Sequence, residues 1–511
     1  MYIYHDFSIC SLLFLEKSLH GFSYFLGNKH SEMQKLIGRK AEIDILKRAL
    51  NSDEAEMVSV IGRRRVGKTF LIDQIYGDDI VYSVTGVEDA PLKEQLSNFS
   101  YQLNEYANTR IPFKIPANWL EAFQLLITFL KEKVTTNGNK VVVFFDEVPW
   151  LGTPKSGFLR GLSFFWNTWA VKQNIVLVIC GSAASWMIQK VVHHKGGLHN
   201  RITKRIFLEP FNLAETEQYL KSRKINFERY HIVQLYMAMG GIPHYLKEIL
   251  AGRSATQNIN QICFTKNGLL RDEFLKLYSS LFTNAHNHIA VIRALAEKQK
   301  GLTRKQIVDI AKVSEGGSIQ RVLEELEQSG FISIYRPFGK KKKEKLYRLT
   351  DEYSLFYLQF IENKIFQETE LWDKLSQTQA YKSWSGYVFE GICLKHIQQI
   401  KKALSIAGVY SEASSFYKKG TQQSKGLQID LLIDRNDHVI NLFEIKFYNA
   451  PFLMTKDYAK HLREKVGLFR AFSKTSKQIF LSMITSLGLV PNEHSRSLVD
   501  YSLTIDDLFD H

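Results

Sequence analysis

Eight consecutive residues, Gly62-Arg63-Arg64-Arg65-Val66-Gly67-Lys68-Thr69, have the spacing GxxxxGK[ST]. That spacing suits the holding of a polyphosphate. The glycines let backbone N–H groups curl around phosphate oxygens, Lys68 reaches the β- and γ-phosphates, and Thr69 offers its hydroxyl to Mg²⁺. The loop follows the apolar segment "EMVSVIG" and, through Phe70, opens the helical segment "KTFLIDQIY". A strand before and a helix after are the setting in which such a loop binds ATP. Downstream, "VVVFFDE" ends in Asp146-Glu147. There Asp146 would hold Mg²⁺ through water, and Glu147 would polarise the attacking water. A third apolar run, "IVLVICG", delivers Ser182, whose hydroxyl would sense the γ-phosphate from the strand beside the Asp-Glu strand.

A second group lies late in the chain, in "LQIDLLIDRNDHVINLFEIKFY". The alternation of "FEIKF" puts Glu444 and Lys446 on one strand face, and Asp430 on the adjacent strand of a hairpin can join them. Upstream, "WSGYVFEGICLKHI" adds Glu390 from a helix. Carboxylates from Glu390, Asp430 and Glu444 would bind Mg²⁺, with Lys446 positioning or activating a water. That is chemistry for cutting phosphodiesters.

The elements that must position these groups follow from the pattern. Short apolar strands alternating with helical segments imply a parallel sheet covered on both faces. Residues 211–285 read as helical. Between 286 and 350, three short helical patterns precede a hairpin, "FISIYRPFGKKKKEKLYRLTD", with a basic tip. This looks like a winged helix, with "SIQRVLEELEQSG" as recognition helix and Lys340, Lys341, Lys342, Lys343 and Lys345 on the wing meeting phosphate. The helix also carries Glu324, Glu325 and Glu327, which DNA repels. Residues 351–380 read as an aromatic helical linker, and from about 381 the order is helix, strand, strand, helix, strand.

Composition agrees with several cores and an acidic partner. The chain has 511 residues, 45% hydrophobic, and a net charge of +15. DNA is the first polymer such a charge suggests. Cys10, Cys180, Cys263 and Cys393 form no CxxC pair, which argues against a zinc site or a disulfide scaffold and fits a reducing cytoplasm. No apolar run approaches the ~18 residues that span a bilayer. Residues 1–32, ahead of Met33, read as an extension outside the first domain.

"GRRRVGKT", "VVVFFDEVPWL" and "VLVICGSAASWM" together resemble the archaeal-type ATPases, a P-loop branch close to the STAND and AAA+ ATPases. The resemblance covers roughly 33–285 and includes "IGRKAEI", which it puts near the adenine. It implies an arginine finger in "GGLHNRITKRIFLEPF", with Arg201 first and Arg205 second, and Asn200 where glycine is usual. A finger acting on a neighbour would imply a homo-oligomer. "MGGIPHYL" resembles the family's Gly-Gly-x-Pro element, by which the helical lid feels the nucleotide. Residues 381–490 resemble the PD-(D/E)XK nuclease superfamily. The expected architecture is therefore α/β. A P-loop NTPase core (33–210) leads to a helical lid (211–285), a winged helix (286–350), a helical linker (351–380), a PD-(D/E)XK-like domain (381–490) and a tail (491–511). The expected function is ATP hydrolysis coupled to action on DNA. The alternative is a STAND-like switch that oligomerises and binds a protein partner.

Overall fold

The apolar runs β1 (Glu56–Ile61), β3 (Val141–Asp146) and β4 (Ile175–Gly181) are buried along their whole length and lie in the middle of one parallel sheet. Two further strands complete it, β2 (Ile80–Thr85) and β5 (Lys204–Phe207), in the order β2-β3-β4-β1-β5. All four pairings are parallel. The sequence pattern does not single out β2 and β5, because as edge strands they are only partly buried and show no continuous apolar run. The computed structural model describes residues 36–510 except 109–110, 138–139, 193–196, 199, 299–300, 340–344, 365–370 and 421–424, and the side chains of 135–137. The extension 1–32, Cys10 and the wing lysines 340–343 lie outside the described residues. Gly38–His511 form one compact unit.

Helices α1 (Lys40–Leu50), α2 (Lys68–Tyr76), α3 (Leu92–Ala107), α4 (Trp119–Asn137) and α5 (Phe158–Thr168) accompany this sheet. The core is strongly aromatic. Phe123 stacks on Phe165 with centroids 5.5 Å apart, and Trp119 meets Phe158 edge-on at 4.8 Å. Such packing fixes ring positions as well as excluding water. No helix among the described residues is long and apolar enough to cross a membrane.

A helical region follows, containing α6 (Leu213–Ser222), α7 (Arg229–Met239) and α8 (Glu273–Leu281). The Gly-Gly-x-Pro stretch is the break after α7. Gly240 has φ +64°, and the Gly241 carbonyl accepts from the N–H of Phe211 at 2.7 Å. A Cβ on Gly241 would sit 1.8 Å from the Phe211 carbonyl oxygen.

Next come α9 (Ala285–Glu297), α10 (Arg304–Ala311) and α11 (Gly317–Gln328), then an antiparallel hairpin of β6 (Ile332–Tyr335) and β7 (Leu346–Leu349). Leu302 bridges Tyr347 and extends the hairpin by one short segment. The helix α11 packs against Ala184–Trp186, directly after Ser182, so part of its surface is already covered by the first domain. Its Glu325 is taken by His288 at 2.8 Å and by Arg321 at 2.7 Å.

The last region opens with α12 (Gln379–Lys395) and contains a mixed sheet of β8 (Ser411–Lys418), β9 (Leu427–Arg435), β10 (Val439–Lys446), β11 (Gln478–Thr485) and β12 (Tyr501–Thr504). β8-β9-β10 are antiparallel neighbours, and β10-β11-β12 are parallel. Helix α13 (Lys456–Ser473) connects β10 to β11 and buries Leu462 and Phe469 in this region's core. The sequence pattern misses β8, which is polar and half exposed. Residues 491–511 are not a mere tail. They contain β12, four residues paired with β11, too short to stand out by periodicity.

Gly241→Ala should cost at least about 2 kcal/mol, since backbone must shift to admit the methyl group. Its thermal unfolding midpoint should fall by several degrees; an unchanged midpoint would mean that the 211–241 junction is not tightly packed.

Candidate functional site

The phosphate loop occupies the crevice beyond the carboxyl ends of β1, β3 and β4, where open α/β sheets bind ligands. Gly67 caps α2 with φ 92°, a conformation glycine adopts without Cβ strain. Lys68, in the first turn of α2, is buried. Its Nζ donates to the Arg63 carbonyl at 3.2 Å and lies 3.9 Å from Glu147 Oε1. Thr69 Oγ1 donates to Asp146 Oδ2 at 2.7 Å. A hydroxyl and a carboxylate meeting beside a buried lysine form a donor set suited to Mg²⁺, a hard cation that prefers oxygen ligands. Val66 is buried, and Phe70 is partly exposed on α2.

Because β4 lies between β1 and β3, Ser182 arrives beside Glu147. Glu147 Oε2 accepts from both the Ser182 N–H at 3.0 Å and the Ser182 hydroxyl at 2.8 Å. Ser182 therefore orients the carboxylate expected to polarise water. Glu147 is also in a left-handed conformation, φ 45° and ψ 49°, strain of the kind retained at functional positions. The "IGRK" arginine braces the loop from behind: Arg39 Nη2 donates to the Val66 carbonyl at 3.3 Å, and its guanidinium lies 4.7 Å over Phe211. Arg201 and Arg205 are exposed, the first in a turn before β5 and the second on it. Asn200 has φ 54°. That is left-handed backbone, which glycine adopts freely and asparagine tolerates.

The three loop arginines reach outward to acids far along the chain. Arg64 pairs with Glu88 at 3.4 Å, and Arg65 with Glu273 of α8 at 2.5 Å. Arg63 pairs with Asp351, just after β7, and lies 4.6 Å over the ring of Phe331, just before β6. Both members of the Arg63–Asp351 pair are buried. Burial alone would lower the Arg63 pKa and raise that of Asp351. The attraction between them overcomes it, leaving the guanidinium above and the carboxyl below their ordinary values.

The same hairpin reaches the second group. From β7, Arg348 donates to the Tyr387 hydroxyl at 3.0 Å and lies 3.6 Å from Glu390 on α12. Beyond β6, Pro337 bridges Ser415, and the Phe338 N–H donates to the Ser415 carbonyl at 2.7 Å. Ser415 stands opposite a bulge. Ser414 pairs with Leu432 but Phe416 with Ile429, so Asp430 and Leu431 together face one residue of β8. Bulges re-aim side chains, and this one falls at Asp430, whose Oδ1 accepts from Gln428 Nε2 at 2.8 Å.

Glu444 and Lys446 do share a face of β10: Lys446 Nζ is 2.8 Å from Glu444 Oε1. Glu444 is further held by Lys465 at 2.6 Å and by the Tyr458 hydroxyl at 2.6 Å, both from α13. Burial would raise its pKa, but the two lysines bring it down to about 2. Glu390 behaves oppositely. Burial first, and then the charge of Asp430, push its carboxyl up to about 8. Two carboxylates that repel in this way form a donor set a divalent cation would neutralise. The expectation that Glu390, Asp430 and Glu444 form one metal cage is not met: among the described residues no group of three acids, histidines or cysteines is arranged to hold a metal. Glu444 is instead saturated by Lys446, Lys465 and Tyr458. Sequence spacing could not reveal Lys465, Tyr458, Arg348 or Asp351, because each contact joins separate elements. Cys180, Cys263 and Cys393 are buried and unpaired.

The parallel sheet, its strand order and the phosphate loop define a P-loop nucleotide-binding fold. Residues 36–249 match the family described as an ATPase domain predominantly from Archaea. Over 433 residues the chain is 23% identical to an uncharacterized protein of Methanocaldococcus jannaschii, covering 84% of this chain and 90% of the relative. Among solved structures it is similar to a Walker-type ATPase of Pyrococcus abyssi, with 15% identity, TM-score 0.47 and coverage of 63% of this chain and 96% of that one. It is also similar to the ORC2 protein of Aeropyrum pernix, with 16% identity, TM-score 0.38 and coverage of 67% and 95%.

Two outcomes are expected. Ser182→Ala removes a hydrogen bond to a charged group, a loss of about 1.5 kcal/mol or more. Steady-state kinetics should show kcat for ATP hydrolysis reduced about tenfold or more, with KM little changed; an unaltered kcat would remove Ser182 from the orientation of Glu147. For Glu390, the folded pKa of about 8 lies above the ordinary 4.5. Between those values the folded chain holds a proton that the unfolded chain lacks, so this contribution to stability is lost as pH rises through about 8. Urea titrations from acid to mildly alkaline pH should therefore show a smaller decline for Glu390→Gln than for the wild type.

Proposed function

We propose that the protein hydrolyses ATP and uses the nucleotide state to control a C-terminal domain that acts on DNA as a Mg²⁺-dependent nuclease. The observation that carries this reading is the β6–β7 hairpin. At its base Phe331 and Asp351 grip Arg63 of the phosphate loop; from its strand Arg348 reaches Glu390; beyond β6, Phe338 is bonded to Ser415, opposite the Asp430 bulge. One element thus touches both chemical groups.

At the first site, Lys68 would neutralise phosphate charge, Glu147 would take up the proton side of the attacking water, and Ser182 would hold Glu147 in line. Mg²⁺, when bound at Thr69 and Asp146, would supply charge neutralisation to the phosphates. Arg201, exposed, would serve as a finger for a neighbouring copy, making assembly part of the cycle. At the second site, Asp430 and Glu390 would hold the cation and Lys446 would position the water. Glu444 would orient Lys446 through their 2.8 Å contact. The region 286–350, read as a winged helix, would act less as a free DNA reader than as the coupling element, since its hairpin and α11 are already docked.

The test is plasmid nicking by purified protein with Mg²⁺ or Mn²⁺, with and without ATP. Lys68→Ala should abolish ATP turnover, and Asp430→Asn should abolish nicking while ATP turnover persists. Wild-type protein that turns over ATP but nicks nothing under any condition would sink the nuclease reading and favour a nucleotide-controlled switch that binds a protein partner. Coupling has its own test. Removing one member of a buried ion pair costs about 3–5 kcal/mol, whereas replacing both by apolar residues is often neutral. The double variant Arg63→Met with Asp351→Leu should fold and hydrolyse ATP within several-fold of wild type, yet its nicking should no longer respond to ATP.

A further inference from the structure

A cavity of about 2890 Å³ opens between the hairpin, α12 and the C-terminal sheet. It is larger than the roughly 300–1,000 Å³ of a small-molecule pocket, which points to a stretch of polymer. Its wall includes Arg63 of the phosphate loop together with Glu390, Asp430 and Lys446. Resting on the nucleic-acid reading above, we infer that this cavity takes an unpaired nucleic-acid strand, with its bases on Tyr417 and Tyr448 and its backbone along Lys382, Lys418 and Lys419.

The two tyrosines decide between a single strand and a duplex. Both line the cavity, and both are about half exposed, 46% for Tyr417 and 49% for Tyr448. They flank the carboxylates. Tyr417 pairs in the ladder with Gln428, which bonds Asp430, and Tyr448 lies two residues beyond Lys446. Aromatic faces at this depth serve unstacked bases, whereas the bases of a duplex are already stacked on each other. The charge agrees with a phosphate backbone. Lys382, Lys418 and Lys419 also line the cavity and are exposed, while the acids Asp351 and Glu352 are already neutralised by Arg63 and by Lys395, the latter at 2.7 Å. At the inner end, Arg63 keeps two buried donors, Nε and Nη2, without a hydrogen-bond partner. Arg63 thus belongs both to the phosphate loop and to the cavity wall.

Fluorescence anisotropy on the full chain, in chelator so that nothing is cut, tests this with oligothymidylate and oligouridylate of about 16 nucleotides and with a duplex of equal length. The strand should bind at least about tenfold tighter than the duplex, and Tyr417→Ala and Tyr448→Ala should each weaken strand binding about tenfold without altering the unfolding midpoint. The ratio between the two oligonucleotides identifies the sugar that is preferred. Tyrosine variants that bind the strand as wild type does, or a duplex bound as tightly as the strand, would overturn the inference and leave the nucleic-acid reading standing. Binding of neither polymer would overturn both. Strand binding that depends on the tyrosines, without nicking in the earlier assay, supports the site and removes only the cutting.

Discussion

The buried pair between Arg63 and Asp351 joins residues 288 positions apart. Neither charge could remain buried alone: an isolated ion in a low-dielectric interior is expensive, and the partner charge, the Phe331 ring and the Ser354 N–H and hydroxyl on Asp351 offset that cost. The pair therefore fixes where the hairpin sits, and the hairpin fixes the rest. Once its base is held on the phosphate loop, β7 is placed to present Arg348 to α12, and the chain beyond β6 is placed to bond Ser415. A polar contact is a demanding way to join domains. It tolerates little displacement, so movement at the phosphate loop must either be transmitted to the hairpin or break the pair.

Two carboxylates at the far end show how environment divides roles among identical groups. Glu444 is buried but faces Lys446, Lys465 and Tyr458, and stays ionised. Glu390 is partly buried near the charge of Asp430, with Arg348 at 3.6 Å, and its ionised form is disfavoured. The first is suited to orienting a lysine permanently. The second is held toward its neutral form. The bulge in β9 falls at Asp430, whose charge helps to raise the Glu390 pKa.

The first domain was legible in the sequence because its chemistry is local. Gly62 to Phe70 are contiguous, Asp146-Glu147 and Ser182 each end a run of buried residues, and burial on both faces writes strands as continuous apolar segments. The edge strands β2, β5 and β8 escaped because partial exposure mixes polar residues into them, and β12 because four residues carry no period. In the last region the alternation of "FEIKF" correctly put Glu444 and Lys446 on one face. The three-acid cage did not follow from it, since the sequence does not say that α13 brings Lys465 and Tyr458 to Glu444.

By itself, then, the sequence determined the groups whose geometry is set within one strand, one turn or one helix: the phosphate loop, the Asp-Glu strand end, the Glu-x-Lys face. The tertiary structure decided what those groups meet. That β4 lies between β1 and β3, that Ser182 orients Glu147, that the loop arginines are held by Glu88, Glu273 and Asp351, and that the hairpin spans from Arg63 to Glu390 are long-range pairings. Backbone periodicity constrains neighbours three or four residues apart. Contacts across hundreds of residues are chosen by which buried charges find partners and which surfaces close without voids, and those choices exist only once the whole chain is packed.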